Sequence, residues 1–418
     1  MLERLAAWCL AFPLVACSSA ASDPESEGDS DGSTTDASST TGEPAGSEST
    51  ADVDESTSST GDPEGSESSS TGSAPLEPAE MLLMDTVIFY DGYAETVDEP
   101  TPEGILRLNN AVNAVKLTDA QLDVMQPNLE MQVLIGALCD NYDRIGSVNL
   151  AFTEKGAETY VPGEVMRLEV ARFITPFMNM NYQPDTVPYD WNISHIASIL
   201  RDPAIREAYD IWFELDVFGV PYAANTEVSG CDGRNDVFRG WLALRTDSTV
   251  EERATDTLVP LGMKDTFNDY QKGASDEVGT TRKTVEFEVP GDQADARLVL
   301  ITSNHGANAG GEEYSRREHF IYVDGELALE YTPGRESCEP FREYNTQGNG
   351  IYGPTPRTDE EWQSFSNWCP GDVIDTRIIE WGPVTAGVHE FVIDVPDAEF
   401  ADDQGNFPFS LFVLGTSE

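Results

Sequence analysis

Residues 139–144 read Cys-Asp-Asn-Tyr-Asp-Arg and place two carboxylates, an aromatic ring and a guanidinium close together. They follow residues 129–135, where apolar and polar residues alternate with the period of a half-buried β-strand. Another apolar run, residues 148–152, follows directly, so the acids lie between two predicted strands. Carboxylates can act there as a general base or as electrostatic stabilisers. A plain turn with an exposed Asp143–Arg144 ion pair is the simpler interpretation of these residues alone.

Three further segments contain residues suited to chemistry. Residues 211–216 read Ile-Trp-Phe-Glu-Leu-Asp, and strand alternation puts Glu214 on one face with the Trp and the Asp. Residues 310–319 read Gly-Gly-Glu-Glu-Tyr-Ser-Arg-Arg-Glu-His. The segment 338–371 is rich in Asn, Gly and aromatic residues. Each could equally be a solvated loop or strand face, since most glutamates in proteins are exposed.

Several kinds of active site are disfavoured by the motifs that the sequence lacks. The 4 histidines never occur as His-x-His or His-x-x-x-His, so we expect no histidine metal site and a structural role for His319. Neither a Gly-x-Ser-x-Gly nucleophile motif nor a phosphate-binding glycine loop is present. Any chemistry must therefore be performed by carboxylates.

The elements that would position these acids are mostly short strands separated by Gly, Pro, Asn and Asp. Besides the two apolar runs that flank residues 139–144, we predict strands at residues 165–174, 210–218, 237–245, 284–290, 297–303, 319–324, 327–331, 376–381, 389–395 and 407–415. Helices are few: a capped one beginning at Thr118, and short ones within residues 193–200 and 203–209. Many short strands with few helices predict an all-β fold of sandwiches or barrels.

The beginning of the chain has the features of an exported protein. An apolar run within residues 1–17 is too short to span a bilayer and ends in Leu-Val-Ala-Cys, which resembles a bacterial lipobox with Cys17 as the lipidated residue. Residues 18–80 are rich in Ser, Thr, Gly and acids, and from Asp23 to Glu80 there are 16 acidic residues and no Lys or Arg. Such a segment predicts a disordered tether. The net charge of −52 argues against nucleic-acid binding.

Four of the 6 cysteines lie beyond the leader, at positions 139, 231, 338 and 369. An even number in an exported chain predicts two disulfides, and spacing alone leaves all three pairings open. Residues 81–418 are long enough for two domains, and the polar segment after residue 245 divides them into 81–245 and 246–418.

At this point several motifs carry a family resemblance. Residues 139–144 and the Ala-Arg-Phe-Ile-Thr-Pro-Phe of 171–177 are similar to the Cys-Asp-Glu-Trp-Asp-Arg and Gly-Arg-Phe-Ile-Thr-Pro-Tyr of the peptide-N-glycosidase F family. Residues 313–319 resemble its Glu-Trp-Cys-Phe-Arg-Thr-His. Residues 367–371 and 376–378 resemble its Gly-Trp-Cys-Pro-Gly and Thr-Arg-Ile. The motifs occur in the family's order over residues 81–418.

The resemblance implies a fold and a reaction. The fold would be two antiparallel jelly-roll sandwiches side by side, with the active site in the cleft between them. The reaction would be hydrolysis of the amide that joins an N-linked glycan to asparagine, on a glycoprotein or glycopeptide, with no metal or other cofactor. We expect a monomer that is lipid-anchored in the bacterial cell envelope, at the outer membrane or cell surface.

Three acids match the family's catalytic positions: Asp143, Glu313 and Glu214. Asp143 would act on the water as base, Glu313 would donate or share a proton, and Glu214 would hold the sugar or a bridging water.

Further residues at or beside these motifs are expected to bind substrate: Asp140, Tyr142, Arg144, Tyr314 and Trp368. The resemblance also implies a Cys338–Cys369 disulfide. Because the family's cysteine just before the Cys139 position is absent here, Cys139 would pair with Cys231. A glycan-binding module without activity is the alternative function. A two-sandwich copper monooxygenase is a further alternative, although its histidine ligands are missing.

Overall fold

The computed structural model describes residues 76–221, 224–269, 277–306, 312–364, 366–399 and 405–418. The predicted leader with Cys17 and nearly all of the predicted tether lie outside these residues. Gly310 and Gly311, next to Glu312, also lie outside them.

The described residues are nearly all β, as predicted, and the strands are numbered in chain order. They are β1 Ala79–Tyr90, β2 Ile105–Asn109, β3 Val112–Lys116, β4 Asn128–Ala137, β5 Ile145–Glu154, β6 Met166–Ile174, β7 Thr186–Asn192, β8 Tyr209–Val217, β9 Asp236–Asp247, β10 Thr257–Asp269, β11 Arg282–Val289, β12 Gln293–Thr302, β13 His319–Val323, β14 Glu326–Tyr331, β15 Val373–Ile374, β16 Thr376–Val384, β17 Gly387–Asp394 and β18 Asn406–Ser417.

Helices are few and short. The α-helices are α1 Asp119–Asp123, α2 Ala197–Arg201, α3 Pro203–Ala208, α4 Ala224–Glu227 and α5 Asp359–Gln363, and the 3₁₀-helices are Pro162–Glu164, Ser194–Ile196, Glu312–Tyr314 and Glu339–Tyr344. The capping box predicted from Thr118 is confirmed, because its hydroxyl accepts from the Gln121 N–H and the Gln121 side chain accepts in return. No helix in the described segments combines the length and the apolar character needed to cross a bilayer.

Four antiparallel sheets form two sandwiches. The first sandwich has sheets of order β1-β9-β4-β7 and β15-β6-β5-β8-β3-β2, and the second has sheets β10-β18-β12-β16 and β11-β17-β13-β14. The alternation in β4 works as expected: Leu129, Met131 and Val133 are buried in the core, while Glu130 and Gln132 are exposed. A separate apolar cluster fills the second sandwich.

The two sandwiches are joined by more than the covalent link. Strand β15 comes from the second half of the sequence but pairs with β6, Val373 opposite Phe173 and Ile374 opposite Arg172. Apolar residues of the second half, among them Leu258 and Phe412, also belong to the first core cluster. The six-stranded sheet therefore presents its outer face to the second sandwich, and polar residues on that face can meet groups from both halves.

The structure differs from the sequence prediction at several elements. Strand β1 begins at Ala79, inside the segment predicted as tether, and β9 continues to Asp247, past the predicted division at 245. Strands β1, β2, β3, β7, β10 and β15 were not predicted. In β1 and β10 the pairing register shifts repeatedly, and each contains a non-glycine residue with positive φ, Thr86 and Lys264. Such bulges interrupt the period-two pattern on which the prediction depends.

Candidate active site

The loop that carries Asp143 is fixed at both ends. It connects β4 to β5, and the Cys139–Cys231 disulfide, with a Cα–Cα distance of 5.5 Å, holds its beginning. The backbone N–H of Cys139 also donates to the Asp236 carbonyl (3.0 Å). At the other end, the Arg144 N–H donates to the Thr175 hydroxyl (2.7 Å). The expected Cys139–Cys231 pairing is confirmed.

Asp140 organises this loop from within. Its carboxylate is buried and accepts hydrogen bonds from the backbone N–H groups of Tyr142 (2.9 Å) and Val220 (2.7 Å). It also pairs with the Arg144 guanidinium, Nε to Oδ2 at 2.6 Å. Burial raises the pKa of Asp140 despite the Arg144 charge. With both oxygens occupied by the loop, Asp140 positions its neighbours, which differs from the substrate contact expected from the sequence.

Tyr142 and Arg144 flank Asp143 and contact each other. The Arg144 guanidinium lies over the Tyr142 ring, 5.5 Å from its centroid. The Tyr142 ring meets Phe177 edge to face at 6.0 Å. Both residues are partly exposed, so they stand at the rim of the loop.

Glu313 is delivered by the 3₁₀-helix Glu312–Tyr314, which the second sandwich braces. The Asn367 amide donates to the carbonyl of Glu313 (2.6 Å) and of Glu312 (3.1 Å). The Glu312 carboxylate turns away to pair with Arg317 at 2.8 Å. The Glu313 carboxylate accepts from the Gly306 N–H at 3.2 Å and from the Tyr314 hydroxyl. This turn therefore aims Glu313, and not Glu312, towards the Asp143 loop.

Asp143 and Glu313 are neighbouring acids, and the Glu313 charge acts on Asp143. Burial, followed by the neighbouring Glu313 charge, raises the pKa of Asp143 to about 8, and Arg144 offsets only part of this. Burial likewise raises the pKa of Glu313, against the hydrogen bonds from Gly306 and Tyr314. Two neighbouring carboxylates that are shielded from water cannot both be charged at low cost. The pair therefore shares a proton near neutral pH.

A polar chain crosses between the sandwiches beside this pair. Arg172 on β6 makes a buried ion pair with Glu169 (2.7 Å) and donates from Nη1 to the Ser303 hydroxyl (2.8 Å). The Ser303 hydroxyl lies 2.7 Å from His305 Nε2. Burial and the Arg172 charge lower the pKa of His305 to about 3, so its ring is neutral. This chain ties β6 to the segment that holds Gly306.

Glu214 is placed in a different cluster. It is fully buried on β8 and is held by Arg167 through both Nε (3.0 Å to each oxygen) and Nη2, by the Tyr160 hydroxyl (2.9 Å) and by the Asn149 amide (3.0 Å). Its strand partner is Asn149, six residues beyond Asp143, which corresponds to roughly 20 Å of extended chain. The structure thus brings Asp143 and Glu313 together and leaves Glu214 in a separate ion-pair cluster.

Trp368 forms part of the floor of the site. It is 5% exposed, donates from Nε1 to the Asn304 carbonyl (3.0 Å), and packs with Ile174, Ile301 and Ile374. Its ring is therefore packed in the protein, whereas the sequence suggested a face open to sugar. The Cys338–Cys369 disulfide, Cα–Cα 5.4 Å, fixes the segment next to it and confirms the expected pairing.

Sequence reasoning missed several residues of this region. Asn367 and Ser303 carry no charge, and no rule of residue spacing identifies them. Only the fold shows which groups they contact. Arg172 and Asn367 lie inside motifs that resemble those of the family, but the sequence analysis gave them no role. Their place in those motifs was the sequence feature that could have identified them. His305 was set aside because no second histidine accompanies it.

Two antiparallel sandwiches with a pair of neighbouring acids at their junction define a class, a two-sandwich protein with a carboxylate-pair site. Comparison with known sequences gives the family. A family model described as "Peptide-N-glycosidase F, N terminal" matches residues 81–232, and one described as "Peptide-N-glycosidase F, C terminal" matches residues 273–414. The chain therefore belongs to the peptide-N-glycosidase F family, which is a family of amidases. The resemblance of its motifs is thereby confirmed.

Solved structures agree on the fold. A structure of PNGF-II matches with a TM-score of 0.60 and 18% identity over 82% of this chain and 66% of that one. PNGase F, a glycosylasparaginase from Flavobacterium meningosepticum, matches with a TM-score of 0.51 and 15% identity over 82% of this chain and 96% of that one. The chain thus spans just under two thirds of the length of PNGF-II. No curated protein sequence matched it.

Proposed function

We propose that this chain hydrolyses the amide between an N-linked glycan and its asparagine, with Asp143 and Glu313 as the catalytic pair. The observation that supports this most is the meeting of two acids with raised pKa, the partly exposed Asp143 and the buried Glu313, one from each sandwich. An amide is a poor electrophile with a poor leaving group, so its hydrolysis needs both a base and an acid. A pair that holds one proton supplies both.

The proposed reaction uses the two forms of the pair in sequence. The ionised carboxylate takes a proton from water as the water oxygen bonds to the asparagine side-chain carbonyl carbon. The protonated carboxyl then gives its proton to the nitrogen as the carbon–nitrogen bond breaks. The peptide is left with an aspartic acid side chain and the glycan leaves as a glycosylamine, so atoms and charge balance.

The hydrogen bonds around the pair suggest which acid holds the proton at rest. Glu313 accepts from the Gly306 N–H and from the Tyr314 hydroxyl, and both bonds stabilise its charged form. Asp143 instead faces the Glu313 charge. We therefore assign the resting proton to Asp143 and the base role to Glu313, the reverse of the roles expected from the sequence.

The test is hydrolysis of a denatured N-glycoprotein in heavy-oxygen water, followed by mass spectrometry of the peptides. The proposal predicts that each glycosylated asparagine becomes aspartate carrying one heavy oxygen, and that Asp143→Asn gives none. If the wild-type chain binds glycopeptide but converts none, the chain is a glycan-binding protein and the proposed reaction is wrong.

We further propose that the enzyme works as a monomer held at the bacterial cell envelope, outside the cytoplasm, by lipid on Cys17. The lipobox-like sequence and the acidic tether support this, since a self-repelling segment would hold the catalytic part away from the membrane surface. Mass spectrometry of the envelope protein tests it. A diacylglyceryl group on Cys17 is expected, and Cys17→Ala should release the protein from membranes. An unmodified Cys17 in membrane fractions would contradict the anchor.

A further inference from the structure

The outer face of the four-stranded sheet β1-β9-β4-β7 forms a groove of about 750 Å³. This face is turned away from the six-stranded sheet, which packs on the other side of it. Residues of all four strands line the groove, and Leu82 on β1 is 59% exposed. Sites for small molecules typically measure about 300 to 1,000 Å³. The groove is therefore large enough for a ligand, and the proposed reaction does not use it.

The register of the sheet aligns two rows of side chains across this groove. Cross-strand partners lie opposite each other and point to the same face. The first row consists of Leu82, Ala243, Gln132 and Asp190, and the second row consists of Glu80, Arg245, Glu130 and Asn192. All of them except the partly buried Ala243 are exposed. The groove therefore offers amide, carboxylate and guanidinium groups side by side.

The polar groups of these rows can still bind a ligand. Gln132 Nε2 donates to Asp190 Oδ1 at 2.7 Å. Among the residues that the structure describes, nothing donates to Gln132 Oε1 or to Asp190 Oδ2. Arg245 Nη1 lies 3.9 Å from Glu130 Oε2, and the two side chains are 57% and 49% exposed. Because this separation is too long for a hydrogen bond, the guanidinium can donate to a ligand.

An apolar row lies directly beside the first polar row. It consists of Trp241, Leu134 and Pro188, which are cross-strand partners and are partly or fully exposed. The Arg239 guanidinium lies over the Trp241 ring, 5.7 Å from its centroid, and pairs with Asp185 at 2.7 Å. On each strand the two rows are two residues apart, or roughly 7 Å. One ligand can therefore contact an apolar surface and hydrogen-bonding groups together.

The charges of the groove narrow the choice of ligand. Glu80, Glu130 and Asp190 contribute three acids against one base, Arg245. The chain has a net charge of −52, and its predicted tether has no Lys or Arg. The tether, a second copy of the chain and an anionic lipid surface would therefore all be repelled. A cationic peptide would pair with the acids but would leave the apolar row unused. A neutral sugar matches both rows, since it has an apolar ring face and a rim of hydroxyl groups.

We infer that this outer face is a second carbohydrate-binding site, which holds a neutral oligosaccharide and performs no chemistry. The apolar face of a sugar ring packs on Trp241, and the hydroxyl groups bond to Gln132, Asp190 and Arg245. This site is separate from the acid pair, which lies at the junction with the second sandwich. If the proposed function is correct, the groove holds one glycan of a glycoprotein while the acid pair acts on another.

The experiment measures the binding of oligosaccharides that contain no glycan–asparagine amide, using the full chain. A neutral high-mannose N-glycan reduced at its end, an acidic oligogalacturonate and a cationic oligolysine peptide are titrated by calorimetry. Only the neutral glycan should bind. Trp241→Ala and Gln132→Ala should each weaken its binding by about tenfold or more. Trp241→Phe should keep most of the affinity, because it retains an aromatic face.

Gln363→Ala is the matched control, because Gln363 is an exposed glutamine on α5, outside the four-stranded sheet. It should leave the affinity unchanged. Circular dichroism verifies that each variant is folded, and the exposed Gln132 can be replaced without loss of core packing. An affinity for the neutral glycan that is unchanged in both Trp241→Ala and Gln132→Ala would overturn the inference. So would a wild-type chain that binds no neutral glycan.

Hydrolysis of a short glycopeptide is measured separately on the same wild-type protein. A chain that binds the neutral glycan through Trp241 and Gln132 but converts no glycopeptide would support this inference and contradict the proposed reaction. A chain that converts the glycopeptide but binds no neutral glycan at the groove would do the reverse.

Discussion

Two groups of carboxylates on this molecule have opposite surroundings. The acid pair, Asp143 and Glu313, joins two like charges, and burial raises the pKa of both. The Glu214 cluster, formed by Glu214, Arg167, Tyr160 and Asn149, joins one carboxylate to a guanidinium and two neutral donors. The acid pair can still take up or give a proton. In the Glu214 cluster, every oxygen lone pair of the carboxylate already accepts a hydrogen bond. Burial of an acid therefore does not by itself indicate catalysis. The groups that surround the acid determine whether it can transfer a proton.

The comparison also separates stability from activity. An acid pair held together by the fold costs stability at neutral pH, because one carboxyl must stay protonated above its ordinary pKa. A saturated ion pair is costly to break and contributes nothing to proton transfer. Substitutions in the two groups should therefore have opposite effects.

The largest expected effect is on turnover. Asp143→Asn and Glu313→Gln each remove one member of the proton-sharing pair and should lower kcat by about a thousandfold, with correct folding verified by circular dichroism. Glu214→Gln, assayed under conditions where it remains folded, should retain kcat within roughly tenfold. If Glu214→Gln lost as much kcat as Asp143→Asn, the division between the two groups would be wrong.

The second effect is on stability, in the other group. Glu214→Gln leaves the Arg167 guanidinium partly buried without its counter-charge and should lower the free energy of unfolding by about 3–5 kcal/mol, measured by urea denaturation. Arg167→Met should do the same from the other side. The double variant should lose less than the sum of the two, because the pair is already broken. Additive losses would show that the two side chains are not coupled.

The third effect is the pH dependence of kcat/KM. The singly protonated pair is the active form, so activity should fall below the raised pKa of Glu313 and above the pKa of Asp143, about 8. The alkaline limb should drop roughly tenfold per pH unit. The rate should be followed on a glycopeptide without other titrating groups in this range. Activity that stays constant from pH 7 to well above 8 would contradict the shared proton.

The smallest effect is a gain in stability from Asp143→Asn. A carboxyl whose pKa is raised from its ordinary value near 4 to about 8 binds its proton more tightly in the folded state, so stability decreases as pH rises between these values. The Asp143→Asn variant has no carboxyl at this position to lose a proton, so its stability does not decrease in this way. It should melt a few degrees higher than wild type at pH 8. The two melting curves should converge towards pH 4. A lower melting temperature for the variant at pH 8 would mean that the Asp143 charge stabilises the fold.

Much of the fold could be predicted from period-two patterns. Strands such as β4, β6 and β8 bury one face or both, so their apolar residues make them recognisable as strands in the sequence. The bulged strands β1 and β10 were missed because register shifts break that pattern. The contribution of β15 to the first sandwich could not be predicted, since two residues give no period and their partner lies far away in sequence.

The candidate site could be predicted only in part. Motif resemblance identified Asp143 and Glu313, and the structure places them together. The same reasoning also named Glu214, and a motif match carries no information about which of its oxygens already accept hydrogen bonds within the fold. The proposed assignment of the resting proton to Asp143 depends on the Gly306 N–H and the Tyr314 hydroxyl at Glu313, and these contacts arise only from the tertiary structure.

The most direct test of this account is the pKa of the Asp143 side chain, measured by NMR on isotope-labelled protein in wild type and in Glu313→Gln. The shared-proton pair predicts a titration at about 8 in wild type and a clear decrease in Glu313→Gln, where the neighbouring charge is gone. A titration of Asp143 near its ordinary value of about 4 in both proteins would contradict the account.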